Sequence, residues 1–303
     1  MSSFEKGTVV VLTRNHRAQL LRTLRALQQL PEAWPIIVVD NGSTDGTARA
    51  VGRQFPAVML IRSRRDIGAA ARNIAVAYAH TPYVAFTHDD SRWEPGALAR
   101  AACLLDEHAS VAVVSACVKE AESGRVHPQC AEVARRATLT DSSEGGPVFG
   151  FMPDACVLRT RAFYDAGGVW PPFFQDGEES LLAIDMAERG WGMWYCDNAV
   201  SWRQTSEPSE RMRGRRWRND IWTAWMRLPC KLAWSVTLLR IKEAARAGQL
   251  STLLLAVAAG AGKVFKRRRV VSPEVAARWS QHHTDVFSGS QRLSPSGSRQ
   301  SLV

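Results

Sequence analysis

Three stretches of the chain, TVVVLT (Thr8–Thr13), IIVVD (Ile36–Asp40) and YVAFT (Tyr83–Thr87), are apolar at successive positions and end on a polar or acidic residue. Successive rather than alternating apolar residues mean that both faces of a strand are covered, as in a parallel sheet held between helices. Helical patterns fill the intervals: Ala18–Leu30, then Thr47–Gln54, then Gly68–His80 after a strand at Val58–Arg62, and Pro95–His108 before another strand at Val111–Cys117. This alternation predicts an α/β domain, a Rossmann-like and mostly parallel sheet with helices on both faces. Right-handed crossovers then gather the strand C-termini at one edge, where ligands bind.

The rhythm loosens across Lys119–Gly146, read as a flexible excursion. It resumes with a strand-like run at Val148–Arg159, a helix at Glu178–Arg189 and a strand around Gly192–Cys196 that closes the domain near Trp202. The expected division is an α/β domain over 1–205, a basic, Trp-rich helical extension over 206–283 with a short last helix at Pro273–His282, and a disordered Ser-, Gly- and Gln-rich tail over 284–303.

Charge separates these regions. Residues 1–202 carry 20 Lys/Arg against 23 Asp/Glu, whereas 203–270 carry 16 against 4, so the whole net charge of +10 originates in the extension. No nucleic-acid-binding motif accompanies it and the sheet edge is not basic, which argues against nucleic acid as a partner. Two readings of the extension stay open: peripheral contact with an anionic membrane, or core packing of Trp217, Trp222, Trp225 and Trp234 beneath a solvated arginine face. The longest apolar run, Leu250–Val264, is short of the ~20 residues of a spanning helix. Six scattered cysteines without CxxC or zinc spacing read as reduced thiols, and the short polar Met1–Gly7 shows no leader, so the sequence predicts a cytoplasmic protein.

Polar clusters follow the strands. Thr13-Arg14-Asn15 offers loop donors for a nucleotide base or phosphate, or is plain turn chemistry. Asp40 closes an apolar strand, where a carboxylate is costly without a donor such as a base imide or ribose hydroxyl. Arg72, one turn inside its helix, suits either a diphosphate clamp or the bidentate orientation of an acidic residue. His88-Asp89-Asp90 packs an imidazole and two carboxylates into one turn, a donor set for a divalent cation. Glu178 and Glu179 open a later helix, where a glutamate near a bound sugar can take the proton of an acceptor hydroxyl.

Together VVVLTRN, IIVVDNGSTDGT, RDIGAAARN, YVAFTHDDSRWEPGAL and DGEESLLAIDMAERGW resemble, in order, the family 2 glycosyltransferases of the GT-A fold, over roughly Thr8 to Trp202. The wider arrangement is similar to an actinobacterial subgroup. The resemblance implies inverting transfer of a sugar from a nucleoside-diphosphate sugar to an acceptor hydroxyl, in cell-envelope or lipid-linked glycan synthesis at the inner face of the plasma membrane. By it, 1–205 is the catalytic domain, Thr13, Asn15 and Asp40 hold the nucleoside, and Arg72 sits near the diphosphate. It also makes Asp90 the metal-contacting last residue of the DxD element, Asp89 a contact to ribose or sugar, and Glu179, with Glu178 behind it, the base.

Two departures stand out. His88 replaces the first carboxylate of DxD, an exchange that suits Mn²⁺ better than Mg²⁺. The late histidine that reaches the metal in the family is absent, and Arg203 is the expected compensating charge at the diphosphate. These departures leave a catalytically degenerate relative, binding nucleotide sugar or membrane without turnover, as the rival reading. A Rossmann dehydrogenase is disfavoured because the first βα turn, LTRNHRAQLL, lacks GxGxxG.

Overall fold

The computed structural model describes residues 6–137, 145–204 and 209–289. The chain begins with β1 (Gly7–Thr13), α1 (Arg17–Gln28), β2 (Ile36–Asp40), α2 (Thr47–Gln54) and β3 (Met59–Arg62). A 3-10 turn at Gly68–Ala70 then leads into α3 (Ala71–Tyr78) and β4 (Tyr83–Thr87). These strands pair in parallel in the order β3-β2-β1-β4. Every residue of β2 and β4 is buried, as their unbroken apolar runs require.

The chain continues through β5 (Ser91–Trp93), α4 (Ala97–Glu107), β6 (Val111–Glu120), α5 (Pro128–Ala137), β7 (Gly146–Val148), β8 (Ala155–Arg159), α6 (Thr160–Asp165), α7 (Glu178–Ala187) and β9 (Gly192–Arg203). Beyond β4 the sheet runs β8-β6-β9-β5, with β7 also on β9. Here β8 is antiparallel to both its neighbours, β9 is parallel to β6, and β5 and β7 are antiparallel to β9. The parallel expectation thus holds from β3 to β4 and gives way to a mixed sheet beyond.

Three local readings are corrected. The run Val148–Arg159 is two strands, parted by a turn containing Pro153, which has no N–H for a ladder. The excursion at Lys119–Gly146 contains the tail of β6 and the helix α5, whose inward residues Cys130, Val133 and Ala137 are small enough to blur the helical period. Residues 138–144 of that excursion lie outside the described residues. Finally, β9 continues seven residues past Cys196 to Arg203. A register shift, from Ala116 opposite Cys196 to Cys117 opposite Val200, lets it bend and reach β5.

The C-terminal helices are α8 (Glu210–Arg227), α9 (Cys230–Arg246), α10 (Leu250–Lys266) and α11 (Pro273–Gly289). The expected boundary at 205/206 falls outside the described residues, as does 290–303. Helix α11 carries order past 284, where the tail was expected to begin. Helix α8 packs on α7 on one side and on α9 and α10 on the other. Trp222 settles into a core with Trp170, Phe173, Leu181 and Val264, and its Nε1 donates to the Val257 carbonyl at 3.1 Å. Helix α10 approaches so closely there that a Cβ on Gly260 would fall 2.0 Å from the Trp222 ring. Arg227 donates from Nε and Nη2 to the two oxygens of Asp185 in α7, both residues buried. For Trp222, then, the packing reading of the basic extension is the one observed, whereas Arg227 is buried and ion-paired and so does not belong to the solvated arginine face of that reading. All six cysteines are free thiols, four of them buried.

Candidate active site

The parallel register sets Thr13 of β1 beside Asp40 of β2, and Val11 beside Thr87, so three strand ends meet at one edge. The His88-Asp89-Asp90 turn leaves β4 at that edge and is fastened to β1 and α1. Thr13 Oγ1 donates to Asp89 Oδ2 at 2.8 Å, His16 Nδ1 lies 3.1 Å from the same oxygen, and Thr23 Oγ1 donates to the Asp89 carbonyl at 2.8 Å. Burial opposes ionisation of Asp89, yet hydrogen bonds from His16, His88 and Thr13 outweigh it and hold the carboxyl well below its usual range. His88 Nδ1 lies 3.1 Å from Asp89 Oδ1 and 2.7 Å from Asp90 Oδ1. Burial disfavours its charged form, but these two contacts push His88 up to about 10. One ligand atom from each of His88, Asp89 and Asp90 lies within 4.8 Å of the others. This donor set fits a divalent cation, to which His88 would present a neutral imidazole nitrogen.

Asp40 is buried. Its Oδ1 accepts from the Ser43 amide at 2.8 Å, while Oδ2 has no hydrogen-bond partner among the described residues and lies 3.9 Å from Arg62 Nε. An orphaned buried carboxylate oxygen is the feature a ligand donor would satisfy. Asn15 is engaged differently. Held at φ +55°, it accepts from the Thr44 amide at 2.8 Å and donates its own amide to Ser43 Oγ at 2.9 Å, tying the loop after β1 to the loop after β2.

The carboxylates opposite come from α7. Its first turn buries Glu178 and Glu179, and the loop before it includes two residues in the left-handed region without being glycine: Phe174 at φ +66° and Asp176 at φ +68°. Such backbone costs on the order of 1–3 kcal/mol per residue and persists only where neighbours impose it. Here α8 imposes it. Asn219 Nδ2, fully buried, donates to the carbonyls of Phe173, Gln175 and Asp176 at 3.1, 2.9 and 2.8 Å, and Arg215 Nε donates to Asp176 at 2.7 Å.

Glu178 and Glu179 are not equivalent. Glu178 Oε1 accepts from Arg72 Nη1 at 2.6 Å, whereas Glu179 faces Arg216 Nη2 of α8 at 3.2 Å. Burial raises Glu179 to about 7 against the opposing charge of Arg216. Both arms of Arg72 are engaged, the second by Asp154, and its guanidinium lies 5.3 Å over the Phe86 ring. Of the two roles open to Arg72, orienting acidic residues is the one the geometry displays. Asp154 also lies 3.9 Å from Arg203 Nη1, and Arg203 Nε is 3.5 Å from Asp90 Oδ1. A chain Glu178–Arg72–Asp154–Arg203–Asp90 thus joins α7 to the end of β4.

His16, Asp154, Asn219 and Arg216 were absent from the residue reading. His16 directly follows the singled-out Asn15, and Asp154 was hidden inside a supposed strand. Asn219 and Arg216 belong to a helix read only for its charge, and no spacing links them to Glu179.

The model of the family described as "Glycosyl transferase family 2" matches residues 8–167, more than half of the chain. The chain belongs to glycosyl transferase family 2. This family 2 chain is 30% identical over 176 residues to the succinoglycan biosynthesis protein ExoU of Rhizobium meliloti (strain 1021), across 53% of itself and 50% of ExoU. It thus spans about half the length of that curated relative. The mannosyltransferase PcManGT from Pyrobaculum calidifontis in complex with GDP-Man and Mn²⁺ superposes with a TM-score of 0.58 at 20% identity, over 93% of this chain and 80% of that one. S. aureus TarS 1–349 in complex with UDP-GlcNAc gives 0.60 at 18% identity, over 87% and 82%. The curled mixed sheet flanked by helices is the GT-A fold of these family 2 neighbours.

Proposed function

We propose that the chain is an inverting glycosyltransferase that moves a sugar from a nucleoside-diphosphate sugar to an acceptor hydroxyl. The observation that carries this reading is the ion-paired chain connecting the His88-Asp89-Asp90 turn to the buried α7 carboxylates. The GDP-Man and Mn²⁺ bound by PcManGT and the UDP-GlcNAc bound by TarS support it.

Asp90 and His88 would hold a divalent cation, Mn²⁺ in preference to Mg²⁺ because one donor is an imidazole. That cation supplies positive charge to the leaving diphosphate. Thr13, Asn15 and Asp40 line the nucleoside side, with the free Asp40 Oδ2 accepting from base or ribose, and Asp89 faces the ribose or sugar. Glu179 is the base: buried and raised to about 7, it takes the acceptor proton near neutral pH as the acceptor oxygen attacks the anomeric carbon and the bond to the diphosphate breaks. Glu178, fixed by Arg72, orients the first turn of α7. Arg203 balances charge developing on the diphosphate, in place of the family's late histidine.

We assign 1–205 as the catalytic unit, 206–283 as an extension that completes its base side, and 284–303 as a tail. The succinoglycan biosynthesis relative supports a cell-envelope glycan as product, and we place the protein at the inner face of the plasma membrane, acting on a cell-envelope or lipid-linked acceptor. The test is hydrolysis or transfer from GDP- and UDP-sugars with Mn²⁺. Turnover that disappears in Asp90→Asn and Glu179→Gln supports the enzyme. Nucleotide-sugar binding without turnover across a broad acceptor panel would establish the non-catalytic relative instead.

A further inference from the structure

Among the described residues, most large apolar side chains left exposed lie on α9, on α10 or just after them: Trp234 (55% exposed), Leu238 (53%), Leu254 (48%), Leu255 (73%), Phe265 (57%) and Val270 (45%). Helical geometry sorts them. On α9, Trp234, Leu238, Ile241 and Ala245 recur at spacings of four, three and four and share one face. On α10, Leu254, Ala258 and Phe265 do the same, with Leu255 and Gly262 beside them. Trp225 of α8 joins the two faces. Its ring centroid is 5.3 Å from Trp234, at the start of α9, and 6.0 Å from Phe265, near the end of α10. The helices therefore run side by side in opposite directions, and their exposed apolar faces adjoin.

The charge bordering this face has one sign. From Leu228 to Val270 the chain has a single acidic residue, Glu243, and that is bonded to Arg240 at 2.7 Å. Lys231 and Lys242 lie next to the apolar face of α9, and Lys266 next to that of α10, all exposed. Long cationic side chains flanking an apolar face can lay their stems along it and hold their heads at a phosphate layer. No helix among the described residues is long and apolar enough to cross a bilayer, so such a face engages a bilayer from one side.

We propose that the paired outer face of α9 and α10 is a docking surface for an anionic lipid bilayer. The inference deepens the proposed membrane location and rests on it. The occupant follows from charge complementarity: a second copy of the chain would bring Lys231, Lys242 and Lys266 against their own kind, whereas anionic headgroups neutralise them. The surface also has a bearing on the site. Helix α8 packs on α9 and α10 with one side and on α7 with the other, and it carries Asn219 and Arg216 to the loop and base of the candidate site. Only α8 separates the docking face from the helix bearing Glu179, so an acceptor anchored in the bilayer by its lipid is presented on the base side.

The test is flotation of the full chain with vesicles of phosphatidylglycerol and phosphatidylcholine, and with phosphatidylcholine alone, while Mn²⁺-dependent hydrolysis of the donor is followed in solution. The wild-type chain floats with the anionic vesicles, in a salt-sensitive way, and scarcely with the neutral ones. Leu238→Glu with Phe265→Glu abolishes flotation and leaves donor hydrolysis and the thermal transition unchanged. Lys231→Gln, Lys242→Gln and Lys266→Gln together, which leave the apolar face intact, weaken binding on the order of 100-fold, from about fivefold per cation. Two results would overturn the proposal: undiminished flotation in the Leu238/Phe265 variant, or a concentration-dependent dimer of the wild type that this variant dissolves. Hydrolysis retained without flotation would end the docking inference alone, whereas flotation without hydrolysis would end the transferase reading and leave the surface standing.

Discussion

The two halves of the candidate site are built by different means. The cation half, His88 to Asp90 with Thr13 and Asp40, is set by strand ends in a parallel register and needs no strained backbone within the turn. The base half, Glu178 and Glu179, stands on a loop with left-handed Phe174 and Asp176 that Asn219 of α8 holds from outside. The first half is fixed by local sequence and sheet topology. The second depends on a helix from the C-terminal extension, so damage there should reach the chemistry from a distance.

The largest expected effects are direct and should be comparable in the two halves. Glu179→Gln removes the proposed base and should lower kcat by roughly 10²–10⁴-fold, and Asp90→Asn should likewise abolish Mn²⁺-stimulated turnover, with donor hydrolysis as the assay. The contrast appears one layer out. Asn219→Ala removes a buried donor from the Gln175 and Asp176 carbonyls, and one of several donors from that of Phe173, which Arg218 also reaches. It should cost about 1–3 kcal/mol in denaturant unfolding and lower kcat well beyond any rise in donor KM. Thr13→Ala, which removes one hydrogen bond to Asp89, should instead weaken donor binding about fivefold, corresponding to about 1 kcal/mol, with kcat nearly retained. If both variants act on KM alone, the distinction between the halves collapses.

Acidity sharpens the same comparison. Because a base works deprotonated, kcat/KM should rise with pH through about 7, the value to which burial lifts Glu179. The charge of Arg216 opposes that lift, so Arg216→Gln should move the midpoint upward. A midpoint unmoved in Arg216→Gln would show that another group controls the profile. The sign also bears on stability. A carboxyl raised in the folded state binds its proton more tightly there than in the unfolded chain, so its contribution falls as pH rises from the ordinary glutamate range through about 7. The smallest effect is expected at Arg203, which touches Asp90 only at 3.5 Å. Arg203→Ala should raise donor KM only about threefold, and Arg203→Lys should recover part of it.

The same division explains what the sequence disclosed. TVVVLT, IIVVD and YVAFT announce buried parallel strands because burial on both faces leaves an unbroken apolar run, and the polar residues ending them fall at the sheet edge by topology alone. The mixed half was harder to read. The short strands β5 and β7 are too brief to show a period, and β8 was fused with its neighbour across Pro153. Asp154, Asn219 and Arg216 left no signal because their partners lie 82, 43 and 37 residues away, as in Arg72–Asp154, Asn219–Asp176 and Arg216–Glu179. The arginines of α8 read as surplus charge, although three of them answer individual carboxylates, Arg215 with Asp176, Arg216 with Glu179 and Arg227 with Asp185.

The shifted register in β9 works as a spacer with a setting. Upstream of Asp197 the strand is indexed to β6 in one register, and downstream of Ala199 it is held in a shifted register on β6 and also by β5, where Arg203 stands opposite Ser91 and Trp202 opposite Arg92. Neighbouring residues on a strand face opposite ways, so gaining or losing one residue between Asp197 and Ala199 would exchange the two. Trp202 would then turn toward Asp90 and Arg203 away from it, with the core half of the strand unmoved. A single-codon change in that bend would thus trade a cation for an indole beside Asp90, a large change at the candidate site from an insertion outside it.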